Sequence, residues 1–464
     1  MAPTCPDGTG PAGIRDLLCA YRDPGSGLDP VVVTEAALAR AAEPALAATF
    51  ITLTPERALT AARDSARRYR DGRPRGPLDG IPVSWKDLFD VAGTVTTAGA
   101  ALRAGAAPAD RDSDCVVRLD AAGTVCIGKT NLSEFAFSGL GLNPHFGTPP
   151  NPHARGTPVA PGGSSSGAAV SVAAGVVPCA VGTDTSGSVR VPAAFNGLIG
   201  FRPSRGRYPG GGVFPLSRTL DRVGTIARSV ADIIALDHAL YGGVRETGAG
   251  TGRPDVVVPE GIMTDGMAPA VAANLEAALR RMERAGHRIV RRRVAAVETA
   301  HTLMREHGTI VAAEAYRLHR AILDGPDAGR LDPRIRARLD AGADIPADSY
   351  VHLLTEREGL IRHLAADLDS AMLACATVVH TAPPRAPLER DAEAFARVNA
   401  LTLRNTMIGS YLDLPGVALP TGTDADGLPT SLLLSAPAGD DERLLAAIRA
   451  LERAGAMPGT GWFR

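Results

Sequence analysis

The alternation of apolar and polar positions divides the chain into a helical opening, a middle of short apolar runs, and a second half in which strands and long helices alternate. From 31 to 70 apolar residues recur at helical spacing among many alanines and arginines, which predicts a helical N-terminal layer. Residues 80–83 start a strand-like segment, and 116–122 read as a helix feeding a strand at 124–127. The nearly apolar stretch 168–181 predicts a buried helix running into a strand, and 228–240 is helical in period. Next, 242–254 has the Gly, Thr and Arg content of a linker. The second half opens with a strand at 255–258, an amphipathic helix at 268–285 and a short strand after Gly286. Long helices are expected around 302–323 and 350–374, with apolar strands at 377–381, 416–419 and 431–434. No internal repeat is visible. Strands alternating with helices predict an α/β fold with a mixed or parallel sheet covered on both faces.

Composition changes this picture in one place. Between 135 and 188 the chain is rich in Gly, Ser, Thr and Pro, as a surface linker would be. A flexible linker, however, would not enclose the apolar run at 168–181. The remaining composition bounds the function. At 464 residues the chain has room for a deep core and a buried pocket. A formal net charge of -1 with both signs interspersed argues against a nucleic-acid surface or an anionic membrane partner, and suits small neutral ligands. Six scattered cysteines without a C-x-x-C pair, and no His cluster at ligand spacing, point to a reducing compartment without structural zinc. Residues 1–13 lack a basic start followed by an apolar run, and 168–181 is too short to span a bilayer. A cytoplasmic location with no metal, cofactor or membrane contact is the expectation.

Only two of the 49 basic residues are lysines, Lys86 and Lys129. Arginine supplies surface charge as well as lysine does, but only a desolvated lysine can lose its proton and act as a base. Lys86 is flanked by Trp85, Leu88 and Phe89, which favour the neutral form; Asp87 beside it works the other way. Two loops dense in hydroxyls, 161–167 and 182–188, are each held between apolar segments. A serine becomes a nucleophile when a neighbour takes its proton and donors stabilise the oxyanion formed on attack. Glycines around Ser188 let backbone N–H groups converge on such an oxyanion. No histidine stands in a recognisable triad context near either loop.

Four blocks carry a resemblance: GIPVSWKD from Gly80, GKTN from Gly128 with Glu134-Phe135-Ala136, the GGSSSG loop, and GTDTSGSVRVPAAFNGLIGFRPS from Gly182. In content and order they resemble the amidase signature enzymes, with high specificity over about 61–232 and weakly onward to Leu451. The resemblance implies a large mixed sheet with helices on both faces and one unit over 1–464, with a catalytic core at 61–232 and a second half at 255–464; from the chain's own organisation, the helices of 300–375 are expected to cap the substrate pocket. It also implies a Ser-cisSer-Lys triad, with Ser188 as nucleophile, Ser164 as bridging serine and Lys86 as base. Ser188 follows Ser164 by 24 residues, the family's usual spacing.

The implied oxyanion hole is the backbone of Thr185, Ser186, Gly187 and Ser188, with Asp184 and Arg190 as a supporting polar network. Ser186 replaces a commoner glycine, Ser166 and Ala168 modify the loop after Ser164, and Thr225 stands where proline is usual. Lys129, Thr130 and Asn131 are expected to brace the loops. The implied activity is hydrolysis of a small carboxamide through a serine acyl-enzyme, without a cofactor, by a chain that acts alone or as a homodimer. The alternative is the glutaminase-type subunit of a tRNA-dependent amidotransferase, which carries the same triad inside a complex.

Overall fold

The computed structural model describes residues 13–243 and 253–456. Eleven strands form one sheet: β1 (Phe50–Leu53), β2 (Pro82–Lys86), β3 (Val125–Thr130), β4 (Cys179–Asp184), β5 (Ile199–Arg202), β6 (Arg222–Ala227), β7 (Val256–Pro259), β8 (Ile289–Arg292), β9 (Met372–Ala376), β10 (Gly416–Thr423) and β11 (Pro429–Ser435). Their order across the sheet is β1-β3-β2-β4-β6-β5-β10-β11-β9-β7-β8. β2 runs parallel to β3 and β4, and β7 is parallel to β8 and β9, while β4–β6, β5–β6, β5–β10, β10–β11 and β9–β11 are antiparallel. The fold is therefore α/β with a large mixed sheet.

Period-two alternation explains why both faces are covered. Val83, Trp85, Cys179, Val181, Val256, Val258, Met372, Ala374, Leu432 and Leu434 all enter one continuous core on one face. Their strand neighbours turn to the other face, which has two separate cores. Val125, Ile127, Ala180, Ile226 and Ala418 pack with the helix Ser166–Ala173. Val257, Leu373, Cys375 and Leu433 pack with the helices Ala295–His307, Ile310–Leu323 and Ala347–Leu368. Each half of the sheet thus has its own helical layer on that side.

Several boundaries differ from the sequence reading. The 31–70 segment is two helices, Pro30–Ala41 and Pro55–Arg70, separated by edge strand β1, whose four residues are all half-buried and give no alternation. The helix expected at 302–323 is two, broken at Gly308. The helix expected to reach 374 stops at Leu368, and the apolar run 372–376 is strand β9; the strand expected at 377–381 lies one step too late. Of the linker-like 242–254, residues 244–252 lie outside the described residues. No described helix is long and apolar enough to cross a membrane.

Candidate active site

Lys86 is the last residue of β2, the strand flanked on both sides by parallel neighbours. Val83 and Trp85 turn into the continuous core, leaving Ser84 and Lys86 on the opposite face, where Ser84 Oγ meets Ser171 Oγ of the helix Ser166–Ala173 at 2.8 Å. Ser164 sits just ahead of that helix, after a cis peptide bond between Gly163 and Ser164. Gly163 is required by close approach, because a Cβ there would meet the Gly141 nitrogen at 2.6 Å and the Ser138 carbonyl at 2.8 Å. Lys86 Nζ donates to Ser164 Oγ at 2.7 Å and to Thr183 Oγ1 at 2.8 Å. The amine is fully buried and touches no carboxylate, so burial pulls its pKa down to about 7 against the more distant pull of Asp221 and Asp184. Asp87 does not act on it. That carboxylate binds Lys129 Nζ at 2.6 Å.

The loop after β4 carries Ser188. Asp184, at the strand's end, folds beneath this loop: Oδ1 accepts from Gly187 N–H at 2.8 Å, and Oδ2 from Val189 and Arg190 N–H at 3.1 and 3.3 Å. Arg190 closes the cluster with Nε on Oδ2 at 3.0 Å and Nη2 on Oδ1 at 2.8 Å. Burial pushes the Asp184 carboxyl up, but the charges and hydrogen bonds of Arg190, with the charge of Arg202, outweigh it and hold the group at about 2. Thr406, on the helix Ala392–Tyr411, donates Oγ1 to the Ser186 carbonyl at 2.6 Å, and Arg190 Nη2 reaches Ser410 Oγ on the same helix at 2.8 Å. Gly187 has φ 134°, and a Cβ there would collide with Thr406 Oγ1. Thr185 Oγ1 donates to half-buried Asp221 at 2.6 Å, which also accepts the N–H groups of Leu216 and Ser217 at 2.9 and 3.0 Å.

The structure thus brings Lys86 and Ser164 into direct contact and joins the two hydroxyl loops through Ser165 N–H, which donates to the Ser188 carbonyl at 3.1 Å. A hydrogen bond between the Ser164 and Ser188 hydroxyls is not among those of the described residues. Of the four N–H groups expected to face an oxyanion, Gly187's is taken by Asp184, whereas those of Thr185, Ser186 and Ser188 have no acceptor among the described residues. Asp184 and Arg190 form the expected polar network beneath the loop. No group of three His, Cys, Asp or Glu side chains among the described residues is arranged to hold a metal.

This arrangement coincides with a family match: the profile described as Amidase covers residues 32–445. The chain belongs to the amidase signature family. Two relatives show how broad that family is. A 2-amino-5-chloromuconic acid deaminase of Comamonas testosteroni is 34% identical over 411 residues, covering 85% of this chain and 86% of that protein. A glutamyl-tRNA(Gln) amidotransferase subunit from Anaeromyxobacter sp. (strain K) is 31% identical over 474 residues, covering 93% and 95%. A crystal structure of an amidase superposes with a TM-score of 0.82 at 30% identity, over 94% of this chain and 99% of that one.

Within this amidase-family chain, sequence reasoning missed Thr183, Asp221, Thr406 and Ser410. Thr183 lay inside the glycine–hydroxyl loop with nothing to set it apart from its neighbours. The others are far away in sequence and carry no local signal.

Proposed function

We propose that the chain is an amidohydrolase that cleaves the C–N bond of a small carboxamide through an acyl-enzyme on Ser188. One observation carries the reading: a fully buried lysine with no carboxylate in contact, its pKa drawn down to about 7 by burial, lies 2.7 Å from a serine in the loop that packs against Ser188. Neutral Lys86 accepts the Ser164 proton as Ser164 accepts that of Ser188, whose Oγ attacks the amide carbon. The free N–H groups of Thr185, Ser186 and Ser188 stabilise the resulting oxyanion. Asp184, saturated by Arg190 and by loop N–H groups, keeps those donors in place. The relay then returns a proton to the leaving amine, and water releases the acid in a second round.

In this reading residues 61–232 carry the chemistry and the second half closes the pocket. Support comes from the loop that follows Glu134. Its Phe135 ring stacks on His319 at 4.6 Å between centroids, and Asn399 Oδ1 accepts from Gly139 N–H at 2.8 Å, so helices of the second half cover the loop. Burial pushes the Glu134 carboxyl up to about 7, and His145 Nε2 lies 3.1 Å from it. The deaminase relative is named for a small amino-substituted diacid, which supports a small-molecule substrate.

The amidotransferase reading is favoured by the equally extensive match to the Anaeromyxobacter protein. Purified chain incubated with simple carboxamides and with glutamine, without tRNA or any partner protein, separates the two. Ammonia release from a carboxamide, abolished in Ser188→Ala, is the expected result. Release from glutamine only when partner proteins are added would contradict it.

A further inference from the structure

Two carboxylates grip the loop 216–221, one from each side. Asp221 holds Thr185 Oγ1 at 2.6 Å and takes the N–H groups of Leu216 and Ser217. Glu314 approaches the same loop from the second half, on the helix Ile310–Leu323. Its Oε2 accepts from Ser217 Oγ and from Thr219 N–H at 3.1 Å; its Oε1 accepts from Thr219 Oγ1 and, at 2.9 Å, from Tyr350 OH on the helix Ala347–Leu368. Every donor to this half-buried carboxylate is an N–H or a hydroxyl, and no arginine or lysine pairs with it among the described residues. Four directional donors without a counterion fix a geometry rather than balance a charge. Ser217 is the joint. Buried, it gives its N–H to Asp221 and its Oγ to Glu314, and its carbonyl accepts the Asp221 N–H at 2.8 Å. Moving Asp221 away from Thr185 therefore pulls on bonds that Glu314 holds.

We propose that Glu314 is a positioning residue, which through Ser217 keeps Asp221 against Thr185 and so holds the Thr185 N–H where the oxyanion forms. Glu314 itself touches no reacting atom. Without it the Thr185 donor loses its fixed place, and attack by Ser188 slows. The Asp221 charge also leaves its place near the Lys86 amine, on which Asp221 and Asp184 are the carboxylates that act. A lysine that loses an attracting charge gives up its proton more readily, so the acid limb of the rate moves to lower pH. A residue that only fastened the second half to the core would change neither quantity in the folded molecule.

The inference rests on Ser188 as nucleophile and Lys86 as base, and the test separates it from that reading. An alkyl fluorophosphonate labels a nucleophilic serine: an O–P bond forms, fluoride leaves and the serine proton passes into the relay. The second-order labelling rate of Ser188, read by mass spectrometry across pH, gives both the plateau and the acid limb. Glu314→Gln can keep all four bonds, its oxygen accepting from Ser217 Oγ and Thr219 N–H while its NH2 donates to the Thr219 and Tyr350 hydroxyls; Glu314→Ala keeps none. Glu314→Ala is expected to label at least about tenfold more slowly, with its acid limb at lower pH, whereas Glu314→Gln stays close to the native chain. Thr219→Val, which removes one bond and leaves the charge, is expected to move both quantities the same way by less, and carries the test if Glu314→Ala does not fold. In an Asp221→Asn background, Glu314→Ala is expected to move the limb no further. If Glu314→Gln matches Glu314→Ala, the charge acts directly; if the melting temperature falls while rate and limb stay native, Glu314 is a fastener only. Either result overturns the inference alone. No labelling of Ser188 in the native chain removes the nucleophile assignment, and this inference with it.

Discussion

Lys86 and Lys129 end or nearly end adjacent parallel strands, and both side chains are fully buried, yet their surroundings give them opposite chemistry. Lys129 Nζ meets three acceptors, Asp87 Oδ1 at 2.6 Å, Thr96 Oγ1 at 2.8 Å and the Val95 carbonyl at 2.9 Å. Three acceptors match the three protons of an ammonium group. Burial draws both Lys129 and Asp87 towards their neutral forms, and their mutual attraction opposes it. Lys86 has only two hydroxyl neighbours, each able to donate as well as accept, and no carboxylate in contact. A neutral amine with a free lone pair fits that setting. Burial alone does not make a lysine a base; burial without a counterion does.

Breaking the comparison at Lys86 has the largest expected effect. Lys86→Arg keeps a charge that cannot be removed, so activity falls by about 10²–10⁴-fold, measured as ammonia release. The melting temperature should not reveal a matching loss if the two roles are distinct. At Lys129 the expectation reverses. Lys129→Met leaves Asp87 buried without its partner and destabilises the fold by about 3–5 kcal/mol in urea unfolding. Adding Asp87→Asn should recover much of that loss. Activity per folded molecule should survive both changes far better than it survives Lys86→Arg.

Two smaller tests sharpen the electrostatics. If Lys86 is the base proposed, with its pKa at about 7, kcat/KM should rise about tenfold per pH unit in the acid range and level off above neutrality, because the neutral amine would be the active form and its fraction grows as pH rises through its pKa. A rate that peaks in acid would contradict this sign. The charge of Asp221 raises the Lys86 pKa, so Asp221→Asn should move the acid limb to lower pH. A move to higher pH would show that Asp221 does not act on the base in this way.

The strands that hold the site were legible because β2, β3 and β4 are uninterrupted buried runs next to glycine-rich turns. The loops were legible because hydroxyls and glycines are dense there. What could not be read was the helix Ala392–Tyr411. Its buried face carries Asn399, Thr402, Asn405, Thr406 and Ser410, polar residues of which Thr406 and Ser410 bond to the Ser188 loop and Arg190, so the apolar stripe of Phe395, Leu403, Ile408 and Tyr411 is interrupted. For the same reason β5 and β6 were missed, since each ends in or begins with a buried arginine, Arg202 and Arg222. Local sequence also misjudged Asp87 as the acid acting on Lys86. The carboxylate instead engages Lys129, and Asp221 and Asp184 take that place.

Because the chain contains only two lysines, labelling them with ¹³C at Cε gives one resonance per site, assigned through Lys86→Arg. The Lys86 signal is expected to titrate with a midpoint of about 7 while Lys129 keeps its ammonium shift through the same range. A Lys86 signal that stays protonated up to about pH 9–10, as for free lysine, or two signals that titrate together, would contradict the assignment of Lys86 as the base.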